Sequence, residues 1–143
     1  MSAATVAAAL GGRRTLRTDV RTDFDLDAAV KAGISAAAVA AVLNEGLLTV
    51  DEIYTLVIPR RTLERRRDGS EPLTIDESDK LLRVVRVIVR AVDAIGDVEK
   101  ARRWLRTPNR ALRGALPIGM LATDIGARLV EQTLGRIEHG VAS

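Results

Sequence analysis

Residues 49–69 read TVDEIYTLVIPRRTLERRRDG and contain two short helical segments separated by a proline. Thr49 and Glu52 have the spacing of a capping box, in which each side chain accepts a free backbone N–H, and they predict a helix through about Leu56. Pro59 disfavours helix at the residue before it and fits the first position of a new, arginine-rich helix. Two short helices joined by a tight turn, the second of them basic, are typical of a helix-turn-helix.

The second helix concentrates positive charge: five arginines fall within eight residues, with Glu64 as the only acid among them. Guanidinium groups pair with phosphates and fork onto guanine edges in the major groove; the alternative is a solvated helix face. The capped helix and the turn in front of the cluster favour DNA. Leu63 is expected to point into the core. The predicted DNA contacts are Arg60, Arg61, Thr62, Arg65 and Arg66.

The chain before this pair of helices begins with little to bury. Residues 1–25 combine an alanine-rich run, two glycines and alternating Arg, Thr and Asp, and they are predicted to be disordered. Helical spacing of apolar residues begins at Leu26, and Ser35 is placed to cap a helix over Ala36 to Asn44. Residues 26–72 are therefore predicted to form the helix-turn-helix domain.

A second capping box, Thr74 with Glu77, predicts a long helix that ends before Gly96. Its polar stripe is narrow and consists of Asp79, Arg83, Arg86, Arg90 and Asp93. Because apolar residues cover the rest of its circumference, this helix is expected to be central. Its apolar surface exceeds what one small domain is expected to cover, which predicts a homodimer.

The remainder of the chain is also predicted to be helical. One helix covers Val98 to Leu105, with Trp104 as a core anchor, and helices are expected to begin near Pro108 and Pro117. Thr123 is placed to cap the last helix, in which one apolar face is predicted to hold Ile125, Leu129, Val130, Leu134 and Ile137. No segment has the period of a strand, so the predicted fold class is all-α, with residues 73–143 as a second helical domain.

The composition argues against an enzyme. The chain has no cysteine and a single histidine, His139, which lies near a helix end without a positioned partner. No catalytic residue, metal site, cofactor or small-molecule ligand is therefore expected. The longest apolar stretch, residues 81–95, carries four charged residues, which is not the pattern of a membrane span. Since no signal peptide is apparent either, a cytoplasmic protein is expected.

A series of short motifs follows in order along the C-terminal half: Glu77-Ser78-Asp79, Gly96-Asp97, Ala101-Arg102-Arg103-Trp104-Leu105, Thr107-Pro108-Asn109-Arg110-Ala111-Leu112, Pro117, Gly126 and Arg136-Ile137-Glu138-His139-Gly140. In this order and spacing they resemble the Xre/MbcA/ParS-type antitoxins of type II toxin–antitoxin systems. The resemblance extends from about Leu26 to the C-terminus. It implies a helix-turn-helix domain that autoregulates the operon by binding operator DNA. It also implies that the C-terminal domain, residues 73–143, occludes a cognate RES-type toxin, an enzyme that depletes NAD; the same domain is predicted from its apolar central helix to dimerise.

The resemblance also implies where the toxin is bound. The expected contacts are Thr107, Pro108, Asn109, Arg136, Glu138, His139 and Gly140. Acidic and carbonyl groups on a short tail ending at Ser143 would fit a dinucleotide pocket lined with cations, although a frayed terminus without a role is the alternative. The turn departs from the family pattern, because Val57 stands where a glycine is common and Pro59 where a serine is usual. The alternative function is a dimeric helix-turn-helix repressor without a toxin partner.

Overall fold

The computed structural model of the chain describes residues 2–140 and confirms the all-α fold class. Within those residues, the β-structure amounts to an isolated antiparallel bridge between Asn109 and Ala115. The chain divides into two compact units, Met1–Val85 and Arg86–Ser143, which we call the N-terminal and C-terminal units. No helix in the described part of the chain is long and apolar enough to cross a membrane.

The N-terminal unit contains six complete helices in its described residues, and the first half of a seventh. They are α1 (Ala3–Ala9), α2 (Arg13–Leu16), α3 (Asp23–Ala32), α4 (Ala37–Asn44), α5 (Val50–Leu56), α6 (Arg60–Asp68) and α7 (Ile75–Ile95). From Leu26 onward these helices correspond to the predicted ones. The Ser35 hydroxyl accepts the Ala37 N–H at 3.2 Å, but the N-cap of α4 is Ala36 and not Ser35 as predicted, so the helix begins one residue later.

Helices occur where the sequence predicts disorder over residues 1–25. The side chains of Val6, Leu10 and Leu16 are buried, and the buried Thr15 hydroxyl donates a hydrogen bond to the Leu10 carbonyl. Alanine has the highest helix propensity, so an alanine-rich run needs few large apolar side chains to hold it against a core. Low apolar content was therefore a poor indicator of disorder in this segment.

Hydrogen bonds attach the start of α7 to the N-terminal unit. The predicted capping box is present, because the Thr74 hydroxyl accepts the Glu77 N–H at 3.1 Å and Glu77 accepts the Thr74 N–H at 2.9 Å. The Ile34 N–H donates to the Ser78 hydroxyl at 2.9 Å, and the Leu73 N–H donates to the Ile34 carbonyl at 2.8 Å. The division between the units consequently falls inside α7, whereas the sequence places it before the helix.

The central stretch of α7 is buried without a second copy of the chain. Side chains with at most 8% exposure are Leu81, Leu82, Val84, Val85, Val87, Ile88, Val89 and Ala91. The prediction that this helix has more apolar surface than one copy of the chain can cover is therefore wrong. It gives no reason for dimerisation.

The C-terminal unit continues from the second half of α7 into α8 (Val98–Leu105), two 3-10 helices (Arg110–Leu112 and Pro117–Ala122) and α9 (Asp124–Glu138). Pro117 occupies the first turn of a 3-10 helix, where a helix start was predicted. No helix begins at Pro108, because Asn109 is extended and forms the bridge instead. Trp104 is only partly buried, and the fully buried side chains of α8 are Ala101 and Leu105.

Candidate DNA-binding and partner-binding surfaces

The turn between α5 and α6 does not require a glycine. The capping box at Thr49 and Glu52 is present as predicted, with hydrogen bonds of 2.9 and 3.2 Å. Val57 has φ −118° and ψ −60°, a right-handed conformation that any L-residue adopts. Pro59 is extended and precedes α6 as its N-cap, one position earlier than predicted. The turn is anchored by the buried side chains of Ile53, Leu56, Val57, Ile58 and Leu63.

The arginines of α6 fall into two groups. Arg60 is paired with Glu64 at 3.0 Å, and the Arg66 guanidinium donates to Glu71 at 3.0 Å and to Glu77 at 3.1 Å. The other three are exposed and have no ion pair with any residue between 2 and 140: Arg61, Arg65 and Arg67. Arg61 and Arg65 are one helical turn apart and therefore lie on the same face.

Arg66 links α6 to the start of α7. Its side chain is only 16% exposed, and its partner Glu77 is 14% exposed. Burial opposes ionisation of Glu77, but the hydrogen bonds from Arg66 and from the Thr74 N–H outweigh it and hold the pKa of Glu77 below its usual value. The hydrogen bonds from Arg66 to Glu77 and Glu71 raise the pKa of that guanidinium in turn. Arg66 is therefore held by two carboxylates of the N-terminal unit, and its contact with DNA stays a prediction.

This ion pair predicts a dependence of stability on pH. Because the folded-state pKa of Glu77 is lowered, its contribution is present above the unfolded value of about 4.3 and is lost as the pH falls through the folded value. We expect Glu77→Gln to lower the free energy of unfolding by about 2 kcal/mol at pH 7. The variant should also lose less stability than the wild type between pH 7 and acid conditions, as measured by thermal unfolding at a series of pH values.

The matched control for this variant is Glu71→Gln. Glu71 pairs with the same arginine, but its side chain is 53% exposed, so solvent screens the pair and the loss should be much smaller. Equal effects of the two substitutions would contradict the assignment of Glu77 as the stabilising partner.

In the C-terminal unit, the packed face of α9 includes Val130 and Leu134 as predicted, but it does not include Ile125 and Leu129. Its buried positions are Gly126, Ala127, Val130, Thr133 and Leu134. Ile125 is 64% exposed and Leu129 is 42% exposed, although both were assigned to the apolar face. The Arg136 side chain is also exposed. The small residues at positions 126 and 127 were the signal that could have identified the packed face, because small side chains permit close approach.

The close approach occurs at Gly126. The Thr123 hydroxyl accepts the Gly126 N–H at 3.0 Å and caps α9 as predicted. A Cβ atom at Gly126 would collide with the Met120 carbonyl oxygen of the preceding 3-10 helix. Glycine is therefore needed here for space, since its φ is in the ordinary range.

The end of α9 is held by charge. Arg90 donates to Glu138 at 3.1 Å and to Glu131 at 3.4 Å. Glu138 is the last residue of α9 and is paired with Arg90, whereas it was expected on a free tail. His139 is the exposed C-cap, and Gly140 follows with φ 72°. The predicted tail from position 141 to the carboxylate of Ser143 lies outside the described residues.

The loop at Thr107-Pro108-Asn109 is stabilised from within. The Thr107 hydroxyl donates to the Arg103 carbonyl at 2.6 Å, and the Asn109 side chain accepts the Ala111 N–H at 2.9 Å. Pro108 is exposed between them. Two of the three predicted toxin contacts therefore also shape this loop.

These features define a class of protein in which a helix-turn-helix unit with an exposed basic face is joined to a second helical unit with an exposed apolar face. Residues 25–86 match the antitoxin Xre-like helix-turn-helix domain, and residues 90–140 match the antitoxin Xre/MbcA/ParS C-terminal toxin-binding domain. The chain belongs to the antitoxin Xre family. It is a regulatory binding protein rather than an enzyme, and within residues 2–140 no acidic, histidine or cysteine cluster could hold a metal ion.

Similar proteins include the antitoxin Xre of Pseudomonas putida, which is 34% identical over 122 residues, covering 85% of this chain and 76% of the relative. The antitoxin Xre of Photorhabdus laumondii is 40% identical over 118 residues, covering 72% and 80%. A more distant relative is the Prs ADP-ribosylating antitoxin of a Sphingobium species, 26% identical over 88 residues, or 55% of each chain.

Proposed function

We propose that this antitoxin neutralises a RES-type, NAD-depleting toxin through its C-terminal unit and represses its own operon by binding operator DNA through α6. Both activities belong to the cytoplasm. The match of residues 90–140 to a toxin-binding domain supports the first activity over a repressor without a toxin. The name of the Sphingobium relative supports an NAD-consuming partner, because ADP-ribosylation takes its ADP-ribose from NAD.

The observation that carries the DNA proposal is the state of the α6 arginines. Arg61 and Arg65 lie on one exposed face and have no acidic partner among residues 2–140, so their guanidinium groups are available to bases and phosphates. Arg60 is exposed at the start of the helix and could exchange Glu64 for a phosphate. Thr62 is partly buried beside them, and we assign it a supporting contact.

We further propose a homodimer, because repressors of this kind read paired half-sites about one helical turn apart. Two copies of α6 would then enter successive major grooves. Light scattering of the free chain at micromolar concentration should give twice its mass of 15.4 kDa. A monomeric mass would contradict the dimer.

For the toxin we propose the exposed side of α9 as the principal contact. Ile125 and Leu129 are one turn apart and present apolar surface to solvent, which is typical of an interface core, and Arg136 lies two turns beyond Leu129. The other proposed contacts, at Thr107, Pro108, Asn109, Glu138, His139 and Gly140, would surround this core. Buried apolar anchors contribute most of the binding energy at such interfaces.

The test is the double variant Ile125→Asp/Leu129→Asp. Both side chains are exposed, so the fold should persist, while two carboxylates in the interface core should weaken toxin binding by more than about 100-fold. The measurement is co-purification with the enzyme encoded by the neighbouring gene, together with inhibition of its NAD consumption. Val98→Asp is the matched control, since Val98 is 44% exposed in the same unit but lies on α8. Unchanged inhibition by the double variant would reject this face.

A further inference from the structure

A second basic feature of the N-terminal unit lies at the far end of α6 from Arg61. It is a cleft of about 380 Å³ whose charged side chains are Arg17, Arg66, Arg67 and Glu71. The hydroxyl-bearing residues in its lining are Ser35 and Ser70. None of the four charged residues belongs to the exposed face formed by Arg61 and Arg65.

The charges in this cleft are not balanced. Arg66 is neutralised by Glu71 and Glu77, but Arg17 and Arg67 are exposed and have no acidic partner in the described part of the chain. The lining also includes alanines at positions 36, 37 and 40, whose short side chains leave room for a ligand. Two uncompensated guanidinium groups beside two hydroxyls suit a phosphate, which accepts charge-assisted hydrogen bonds at several oxygens.

Arg17 lies outside the region of the family's DNA-binding domain, which begins at residue 25. It follows α2 with φ 63° and ψ 16°, a left-handed conformation that favours glycine. An arginine at such a position is an exception to local preference, and Arg17 lines the cleft together with two other arginines. Arg17, at the end of α2, thus adds a third arginine to this cleft. The helix-turn-helix by itself contributes only Arg66 and Arg67.

We propose that this cleft binds a backbone phosphate of the operator, next to the bases contacted by α6. The proposal rests on the DNA binding proposed above and adds a contact that carries no sequence information. Phosphate contacts fix the position of a protein on the duplex and account for the salt dependence of its affinity. Arg17 and Arg67 would therefore contribute to affinity for every duplex, whereas Arg61 and Arg65 would distinguish the operator.

The test is Arg17→Gly, which removes the guanidinium and suits the left-handed backbone, so the fold should be retained. The affinity for an operator duplex and for an unrelated duplex of equal length is measured against salt concentration. We expect both affinities to fall by the same factor, and the slope of log K against log salt to decrease by about one. An unchanged slope would overturn the proposal.

Two controls separate a local contact from a general loss of charge. Arg113→Gly removes an arginine with the same left-handed backbone, φ 57°, from the C-terminal unit. Arg14→Ala removes an exposed arginine from α2 that does not line the cleft. Neither should change the slope. A decrease in Arg14→Ala equal to that in Arg17→Gly would overturn the assignment of a phosphate to the cleft.

A titration with inorganic phosphate tests whether the cleft binds a phosphate group of DNA or a free phosphate anion. It is titrated into the free chain while the backbone amide signals of Ser35, Ala36 and Ser70 are followed by NMR. We expect weak shifts in the wild type, which are lost in Arg17→Gly and absent once operator DNA is bound. If inorganic phosphate bound tightly and stayed bound in the complex with DNA, the proposal that the cleft takes a backbone phosphate of the operator would be overturned. If the wild type bound no duplex, the proposed function would fail, and this titration would still show whether the cleft takes phosphate.

Discussion

Replacing Gly126 with alanine is expected to destabilise the C-terminal unit by about 3 kcal/mol or more, a large part of the stability of a small domain. The added Cβ would collide with the Met120 carbonyl oxygen and would lie 2.9 Å from the Thr123 hydroxyl oxygen that caps α9. A backbone atom does not move aside as a flexible side chain does, so the start of α9 must shift. Chemical denaturation followed by circular dichroism measures the loss.

The matched control is Gly119→Ala in the preceding 3-10 helix. A Cβ atom there meets nothing within 4 Å, and the residue has no left-handed backbone, so alanine should be tolerated. Similar stability of the two variants would show that α9 is not packed as described. It would also remove the physical reason for the exposure of Ile125 and Leu129, which depends on Gly126 facing inward.

The double variant Arg61→Ala/Arg65→Ala is expected to lose operator binding. Each arginine that forks onto a guanine contributes about 1–3 kcal/mol, which corresponds to roughly a 5- to 150-fold loss of affinity for each substitution. Both side chains are exposed and have no acidic partner in the part of the chain that the structure describes, so the fold should be unaffected. Binding to the operator and to an unrelated duplex is compared at one fixed salt concentration, because specificity is meaningful only under matched salt.

Arg103→Ala/Arg110→Ala serves as the charge-matched control, because both of these arginines are exposed in the C-terminal unit. It should bind the operator as the wild type does. If Arg61 and Arg65 contact only phosphates, binding of both duplexes weakens uniformly and specificity is kept. Unchanged operator affinity in the Arg61→Ala/Arg65→Ala variant would reject α6 as the recognition helix.

The capping boxes were predictable because each is a local structure. The hydroxyl of Thr49 or Thr74 accepts the backbone N–H of the glutamate three residues later, and that glutamate accepts the backbone N–H of the threonine. Both hydrogen bonds lie within a single turn, so the sequence pattern determines the geometry. The starts of α5 and α7 followed from these capping boxes, and the bounds of α8 followed from its amphipathic pattern. The family resemblance then supplied the toxin partner, which residue patterns alone could not indicate.

The features that escaped prediction depend on contacts between distant positions. Arg66 looked equivalent to its neighbours, but it is paired with Glu71 and with Glu77, which is eleven residues away. In α9 the apolar residues occur on two faces, and the position of the Met120 carbonyl decides which face is packed. Helix α1 buries Val6, and its C-cap Leu10 is also buried, in a segment whose composition resembles a disordered terminus.

The most direct test of the account measures NAD in cells that express the enzyme of the neighbouring gene together with this chain. Wild-type chain and the Arg61→Ala/Arg65→Ala variant should both preserve NAD, because the toxin is bound through the C-terminal unit. The Ile125→Asp/Leu129→Asp variant, expressed at the same level from the same heterologous promoter, should fail to preserve it. Loss of NAD in the presence of the wild-type chain, or equal protection by all three proteins, would contradict the account.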